Sequence, residues 1–150
     1  MPPIIVSACL AGTNCKYNGA NNYHPQIARM VAAGIALPIC PEVWGGLPTP
    51  RAASEIIAAD GQDVLAGRGK VLTIDGTDVT EQFILGAREV LAYVHKYHAK
   101  VAILKERSPS CGVNVIYDGT FKNIRRPGQG VLAALLKQES SPTFLSPDQA

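Results

Sequence analysis

The stretch IIVSA (Ile4 to Ala8), running directly into Cys9, decides the fold. A continuous apolar run rich in β-branched residues, with no alternation of polar positions, is the pattern of a strand buried on both faces, as in parallel sheets. Two further runs read the same way: Ile35 to Ile39, which delivers Cys40, and Val101 to Leu104, which leads into the loop Lys105 to Gly112 carrying Cys111. Helical patterns lie between them. His24 and Pro25 open one in which Ile27, Met30 and Val31 share a face, and Gly34 ends it. Asp78 followed by Glu81 reads as a capping box, after which Val79, Phe83, Ile84, Ala87, Val90, Leu91 and Val94 recur at helical spacing to about His98. A last helix spans about Gly130 to Gln138, before a short strand near Phe144.

Strands alternating with helices imply right-handed crossovers and a mostly parallel sheet covered on both faces. The expected class is therefore α/β: three layers, Rossmann-like or flavodoxin-like, with a small β-hairpin insertion. The irregular parts are placed by their turn residues. Pro41 to Pro50 is too rich in Pro and Gly for regular structure and reads as a shaped loop, and short strands at Glu55 to Ala58 and Val71 to Ile74 flank the Gly67 to Gly69 turn. A hairpin-like piece is expected around Tyr117 to Phe121. With 150 residues the chain fits one domain, 1–150, large enough to bury roughly two thirds of its unfolded surface.

Composition narrows the function. The chain is 47% hydrophobic and only 17% charged, with a net charge of +2, too small to announce a nucleic-acid binder. Lys122, Arg125 and Arg126 read first as a solvated loop, with a phosphate site as the other use of such a group. No charged and apolar leader and no apolar run of membrane length is found, so a reducing, cytoplasmic setting is expected. In that setting the four cysteines, Cys9, Cys15, Cys40 and Cys111, read as ligands or catalytic thiols and not as disulfide staples.

In open α/β sheets ligands bind beyond the carboxyl ends of the strands, where the winding reverses. Cys9, Cys40 and Cys111 are all expected at that edge. Structural zinc sites favour paired C-x-x-C knuckles, and the chain has none. An iron–sulfur cluster accepts cysteines from dispersed Gly-rich turns, and three cysteines on a four-iron cluster leave one iron open as a Lewis acid. Zinc, a thiol redox site and simple packing of small apolar side chains stay open alongside the cluster.

The segments SACLAGTNCKYNG, CPEVWGGLPTPR, DGTDVT, KERSPSCG and YDGTF together resemble a bacterial family long catalogued as a domain of unknown function, whose characterised members are thiouracil and thiouridine desulfidases. The matched motifs run from Ser7 to about Leu136. The resemblance implies a [4Fe-4S] cluster with one open iron, held by three cysteines; Cys9, Cys40 and Cys111 are expected to be the three because they sit at strand ends, with Cys15, on a turn, a possible alternative ligand. It implies a small thiopyrimidine as substrate, converted to the oxo base with release of sulfide; thiolated tRNA is not excluded, although the modest charge points to the small molecule. Glu42 takes the acid/base position of the CPE motif, since a carboxylate beside an anionic cluster is driven toward its protonated form. Ser108 is placed to bond substrate or relay the proton. Ser7 and Arg51 are expected at the substrate, Arg51 either there or paired with Glu42 or Glu106. Trp44 is read as a stacking partner or as core, and His24, His95 and His98 as helix-end residues.

Two departures bear on substrate identity: CKYNG stands where CRYDG is commoner, so Lys16 keeps the charge without the guanidinium fork, and FLSPDQA is a shorter and less acidic ending. Two other readings keep part of the pattern. One is a zinc- or thiol-based binding or redox-switch module without catalysis; the other is a cluster-bearing sulfur carrier.

Overall fold

The computed structural model describes residues 3–149. The first apolar run forms β1 (Ile4–Ser7) and then tightens into a 3-10 turn, Ala8–Ala11, closed by Gly12 at φ 98°. Cys9 therefore sits in that turn, two residues beyond the strand. Pro25 occupies the first turn of α1 (Pro25–Ala32), where its missing N–H costs nothing, and the chain returns through β2 (Ala36–Ile39). The segment expected to be an irregular loop begins instead with a short helix, α2 (Pro41–Trp44). Pro41 starts that helix for the same reason Pro25 starts α1, with Cys40 as its N-cap and Glu42 in its first turn.

Beyond β3 (Ser54–Ile56) comes a helix the turn residues did not reveal, α3 (Gly61–Leu65), followed by β4 (Val71–Thr73), antiparallel to β3. The capping box lies here. Asp63 N donates to Asp60 Oδ1 at 3.0 Å and Asp60 N to Asp63 Oδ2 at 3.2 Å. The box expected at Asp78 and Glu81 is not formed: α4 (Thr80–Tyr97) has Val79 at its N-cap without a side-chain cap, and Asp78 Oδ1 accepts from Thr80 N. The rest of the chain is β5 (Val101–Ile103), β6 (Val115–Tyr117), β7 (Arg125–Pro127), α5 (Val131–Glu139) and β8 (Thr143–Leu145). β6 and β7 pair antiparallel, so the hairpin is wider than expected and Arg125 and Arg126 belong to a strand.

The main sheet is four parallel strands in the order β2-β1-β5-β8. The fold is thus α/β with a parallel sheet and small antiparallel hairpins, as expected. Successive residues of β1 face opposite ways: Ile5 joins a cluster with Phe83, Val90, Leu132 and Leu136 of α4 and α5, while Val6 joins Ile27 of α1 and Ile103. These side chains are essentially inaccessible, and each contributes about 2 to 3 kcal/mol over an exposed position.

The winding reverses at β1, with β2 on one side and β5 on the other. Lys105 N donates to Ser7 Oγ at 2.9 Å and ties the two carboxyl ends at this crevice together. α2 is fixed over the same edge by α4. A Cβ at Gly86 would fall inside the Pro41 carbonyl, and one at Gly45 inside the Gln82 carbonyl, so the two helices touch backbone to backbone.

Candidate active site

A cavity of about 380 Å³ opens at this crevice, in the range of small-molecule sites. All four cysteines line it, together with Glu42, Arg51, Ser108 and Ser110. Each cysteine comes from a different piece of backbone: Cys9 from the turn after β1, Cys15 from the following loop, Cys40 from the end of β2, and Cys111 from the loop after β5. All are free thiols.

The sulfurs are not alike. The Cys15 thiol hydrogen-bonds to the sulfurs of both Cys9 and Cys40. That bond, helped by Asn22 Nδ2 at 3.4 Å and by the charges of Lys105 and Lys16, lowers Cys9 to about 6 against the cost of burial. Cys40 is lowered to about 7 by the same Cys15 bond and a backbone N–H of α2. Cys15, whose single thiol proton is shared with the Cys40 and Cys9 sulfurs, is pushed well above the usual thiol range by them and by burial. Burial pushes Cys111 up to about 12, although the hydroxyls of Ser7 and Ser110 lie against its sulfur, Ser110 Oγ at 3.8 Å.

Opposite the sulfurs runs a line of oxygen groups. Ser110, only 2% exposed, donates to Glu42 Oε2 at 2.8 Å, and its hydroxyl is 3.0 Å from Ser108 Oγ. Ser108 Oγ accepts from Ser110 N and Cys111 N at 3.2 and 3.0 Å, so it shapes the turn that presents Cys111. Arg51 pairs with the other Glu42 oxygen, Nε and Nη2 both 3.1 Å from Oε1. The pair is largely buried, with side-chain exposures of 7% for Arg51 and 15% for Glu42. The same guanidinium donates to Cys15 O at 2.9 Å, Pro48 O at 3.2 Å and Thr49 Oγ1 at 3.0 Å.

Glu106, the other acid offered to Arg51, does different work. Its Oε1 accepts from the N–H groups of Val113, Asn114 and Val115 at 2.7, 2.8 and 3.0 Å, closing the loop behind Cys111. Burial pushes this carboxyl up, but those donors and the Asn114 amide hold it below its usual value. Lys105, whose Nζ donates to Glu106 O, is lowered by burial and by the nearby charge of Arg107.

The expected residues Cys9, Cys40, Cys111, Glu42, Ser108, Ser7 and Arg51 all reach this one cavity. Ser7 is 2% exposed and is occupied with Lys105 N and the Cys111 sulfur. Trp44 does not face the cavity; it packs edge-on against Tyr93 of α4, ring centroids 5.3 Å apart, which settles it as core. None of the three histidines lines the cavity. Ser110 and Asn22 were not singled out from sequence. The signal for Ser110 was its place beside Cys111; Asn22 carried none.

The donor set suits a cluster better than a single ion. A tetrahedral zinc needs its sulfurs about 2.3 Å from one point. Among the described residues no group of three or more His, Cys, Asp or Glu is gathered to hold one ion. All four thiols line one cavity, Cys15 against Cys9 and Cys40, with Cys9 and Cys40 lowered toward thiolate and Lys16, Lys105 and Arg51 in the same lining. That is the environment a polyanionic iron–sulfur group requires.

A parallel α/β sheet with a thiol-lined crevice and a buried carboxylate–serine line defines a thiol-dependent enzyme domain. The profile of the family described as 2-thiouracil desulfurase matches residues 4–148, and the chain belongs to that family. It is 48% identical over 135 residues to the uncharacterized protein YbbK of Bacillus subtilis (strain 168), covering 90% of this chain and 89% of that one. Among solved structures it is similar to the [4Fe-4S]-dependent thiouracil desulfidase TudS, with a TM-score of 0.85 and 38% identity over 99% of this chain and 93% of that one. No helix among the described residues is long and apolar enough to cross a membrane.

Proposed function

We propose that this chain is a [4Fe-4S]-dependent desulfidase acting on thiolated pyrimidines: thiouracil and water give uracil and hydrogen sulfide, without net electron transfer. The observation that carries this reading is the convergence on one cavity of Cys9, Cys40 and Cys111 with the hydrogen-bonded line Glu42–Ser110–Ser108. Family membership and the likeness to TudS support it.

In this reading Cys9, Cys40 and Cys111 hold the cluster. When bound, the cluster supplies a Lewis acid, through the iron these three leave open, for the exocyclic sulfur of the substrate. Glu42 accepts a proton from the water that attacks the carbon bearing sulfur, then returns a proton to the ring or the departing sulfur. Arg51 anchors the carboxylate through Oε1, so that Oε2 and its serine partner face the chemistry. Ser110 keeps Glu42 and Ser108 in register, and Ser108 lines the cavity where the substrate's polar edge is bound. Ser7 holds the β1–β5 crevice closed beneath the ring.

A small thiopyrimidine is the substrate class favoured by a cavity of about 380 Å³ and a net charge of +2. Four free thiols and an oxygen-sensitive cluster require a reducing compartment, the cytoplasm. The test is direct. Anaerobically prepared protein incubated with 2- or 4-thiouracil is expected to release uracil and sulfide one to one with no electron donor. Cluster-replete protein that leaves both thiouracils intact would contradict the proposal.

A further inference from the structure

Asn22 holds Cys9 at two points. Its backbone N–H donates to Cys9 O at 2.9 Å, and its side-chain Nδ2 donates to Cys9 Sγ at 3.4 Å. The amide is half-buried and lines the cavity beside the thiols. The segment that carries it is tied to the Cys9 turn on both sides. His24 N donates to Leu10 O at 2.8 Å, Tyr23 N to Asn21 Oδ1 at 2.9 Å, and Asn21 Nδ2 to Asn14 Oδ1 at 2.8 Å. The Tyr23 ring packs on Gly12, where a Cβ would come within 3.1 Å of Tyr23 Cδ2. The other two proposed ligands are served differently. Cys40 has a backbone N–H of α2, and Cys111 has the Ser110 hydroxyl at 3.8 Å, whose proton is directed to Glu42 Oε2 at 2.8 Å. Cys9 has a side-chain N–H that a single substitution removes.

We infer that Asn22 tunes the cluster without ligating it: its side-chain N–H bonds the Cys9 sulfur, draws charge from that sulfur and makes the bound cluster a stronger electron-pair acceptor. The inference rests on the desulfidase reading above and deepens it. A thiolate bonded to iron keeps lone pairs, so Cys9 can accept this N–H while it ligates. Hydrogen bonds to the cysteine sulfurs are among the factors that set the reduction potential of an iron–sulfur cluster. They favour the more negative, reduced state and so raise the potential. The same withdrawal of charge suits a Lewis acid that has to take the substrate's sulfur. Asn22 is thus a positioning residue, acting through Cys9 and not on the substrate, as partners of metal ligands commonly do. An amide has no proton to lose in the working pH range, so the bond does not depend on protonation.

The experiment uses anaerobically prepared, cluster-loaded protein whose asparagines carry nitrogen-15 in the side-chain amide. The reduced cluster is read by electron spin-echo envelope modulation, and the reduction potential is measured for the wild type, Asn22→Leu and Asn22→Asp at matched iron and sulfide content. The wild type is expected to show a nitrogen-15 coupling to the cluster that Asn22→Leu loses. The potential should move to a more negative value in Asn22→Leu, which keeps the backbone bond to Cys9 O. It should move further in Asn22→Asp, where an acceptor of the same shape replaces the donor. Wild-type protein without the coupling overturns the inference, and it does so even if the variants fail to hold iron. An Asn22→Leu potential equal to that of the wild type overturns it as well, and is what a merely structural role for Asn22 predicts. Wild-type protein that takes up no iron and sulfide overturns the desulfidase reading beneath it, a distinct result that removes the tuning role too.

Discussion

Ser110 Oγ donates to Glu42 Oε2 at 2.8 Å, joining two residues 68 positions apart in the chain. The contact bridges the two halves of the crevice, because Glu42 rides on α2 after β2 and Ser110 on the loop after β5. It gives the proposed acid/base group a fixed orientation against the cysteine that follows Ser110. Removing one hydrogen bond to a charged group costs about 1.5 kcal/mol, or about tenfold in rate when the loss falls on the transition state. Ser110→Ala is therefore expected to lower kcat about tenfold at unchanged iron content, measured by sulfide release.

Glu42→Gln should be more severe. An amide of the same shape can still accept from Ser110 but cannot exchange a proton with water, and general acid–base catalysis contributes about a hundredfold or more. The expected outcome is a loss of that size in turnover with the visible colour of the cluster retained. Normal turnover in Glu42→Gln would remove the carboxylate from the mechanism.

Arg51→Met tests the buried ion pair. Its removal leaves a carboxylate with 15% side-chain exposure and no counter-charge, and breaking a buried pair from one side costs about 3 kcal/mol. Lost donors to Cys15 O, Pro48 O and Thr49 Oγ1 add to this. Denaturant unfolding at matched iron content should show the drop, and Arg51→Lys, which keeps the charge without the fork, should recover only part of it.

Gly86→Ala sets two effects against each other. Alanine favours a helix interior over glycine by about 1 kcal/mol. Here its Cβ would meet the Pro41 carbonyl, which is backbone and cannot rotate away. Overpacking of this kind costs about 1 to 3 kcal/mol or more, so the clash wins and α2 must shift. The variant is expected to be less stable and, because α2 follows Cys40 and carries Glu42, to bind less iron per chain.

Glu106 predicts a pH effect with a definite sign. Its folded carboxyl lies below the ordinary value, so it stabilises the protein above the unfolded value of about 4.3. That contribution fades as the pH falls through the lower, folded value. Unfolding curves of the metal-free protein from about pH 5 downward should steepen in the wild type and flatten in Glu106→Gln, which is less stable at neutral pH.

Much of this was legible in the sequence, for physical reasons that differ by element. β1, β2 and β5 announced themselves as short, nearly continuous apolar runs, and α4 because eighteen residues give room for a full apolar stripe. α2 and α3, with four and five residues, are too short for periodicity to speak, and their Pro and Gly mask them as loops. The cysteines and Glu42 stood out by motif and by position after strands. Which serine of SPSCG touches Glu42 depends on the turn after Pro109, where the backbone aims Ser110 at the carboxylate and leaves Ser108 to cap N–H groups. Arg51's choice of Glu42 over Glu106 was likewise settled by folding, since Glu106 is claimed by three backbone donors.

The central claim is that these thiols hold an iron–sulfur cluster, and the most direct measurement is iron, sulfide and zinc analysis of anaerobically purified protein together with its visible spectrum. The account predicts about four irons and at least as many sulfides per chain, with a broad visible absorption that bleaches in air. Stoichiometric zinc without iron, in a colourless protein, would contradict it.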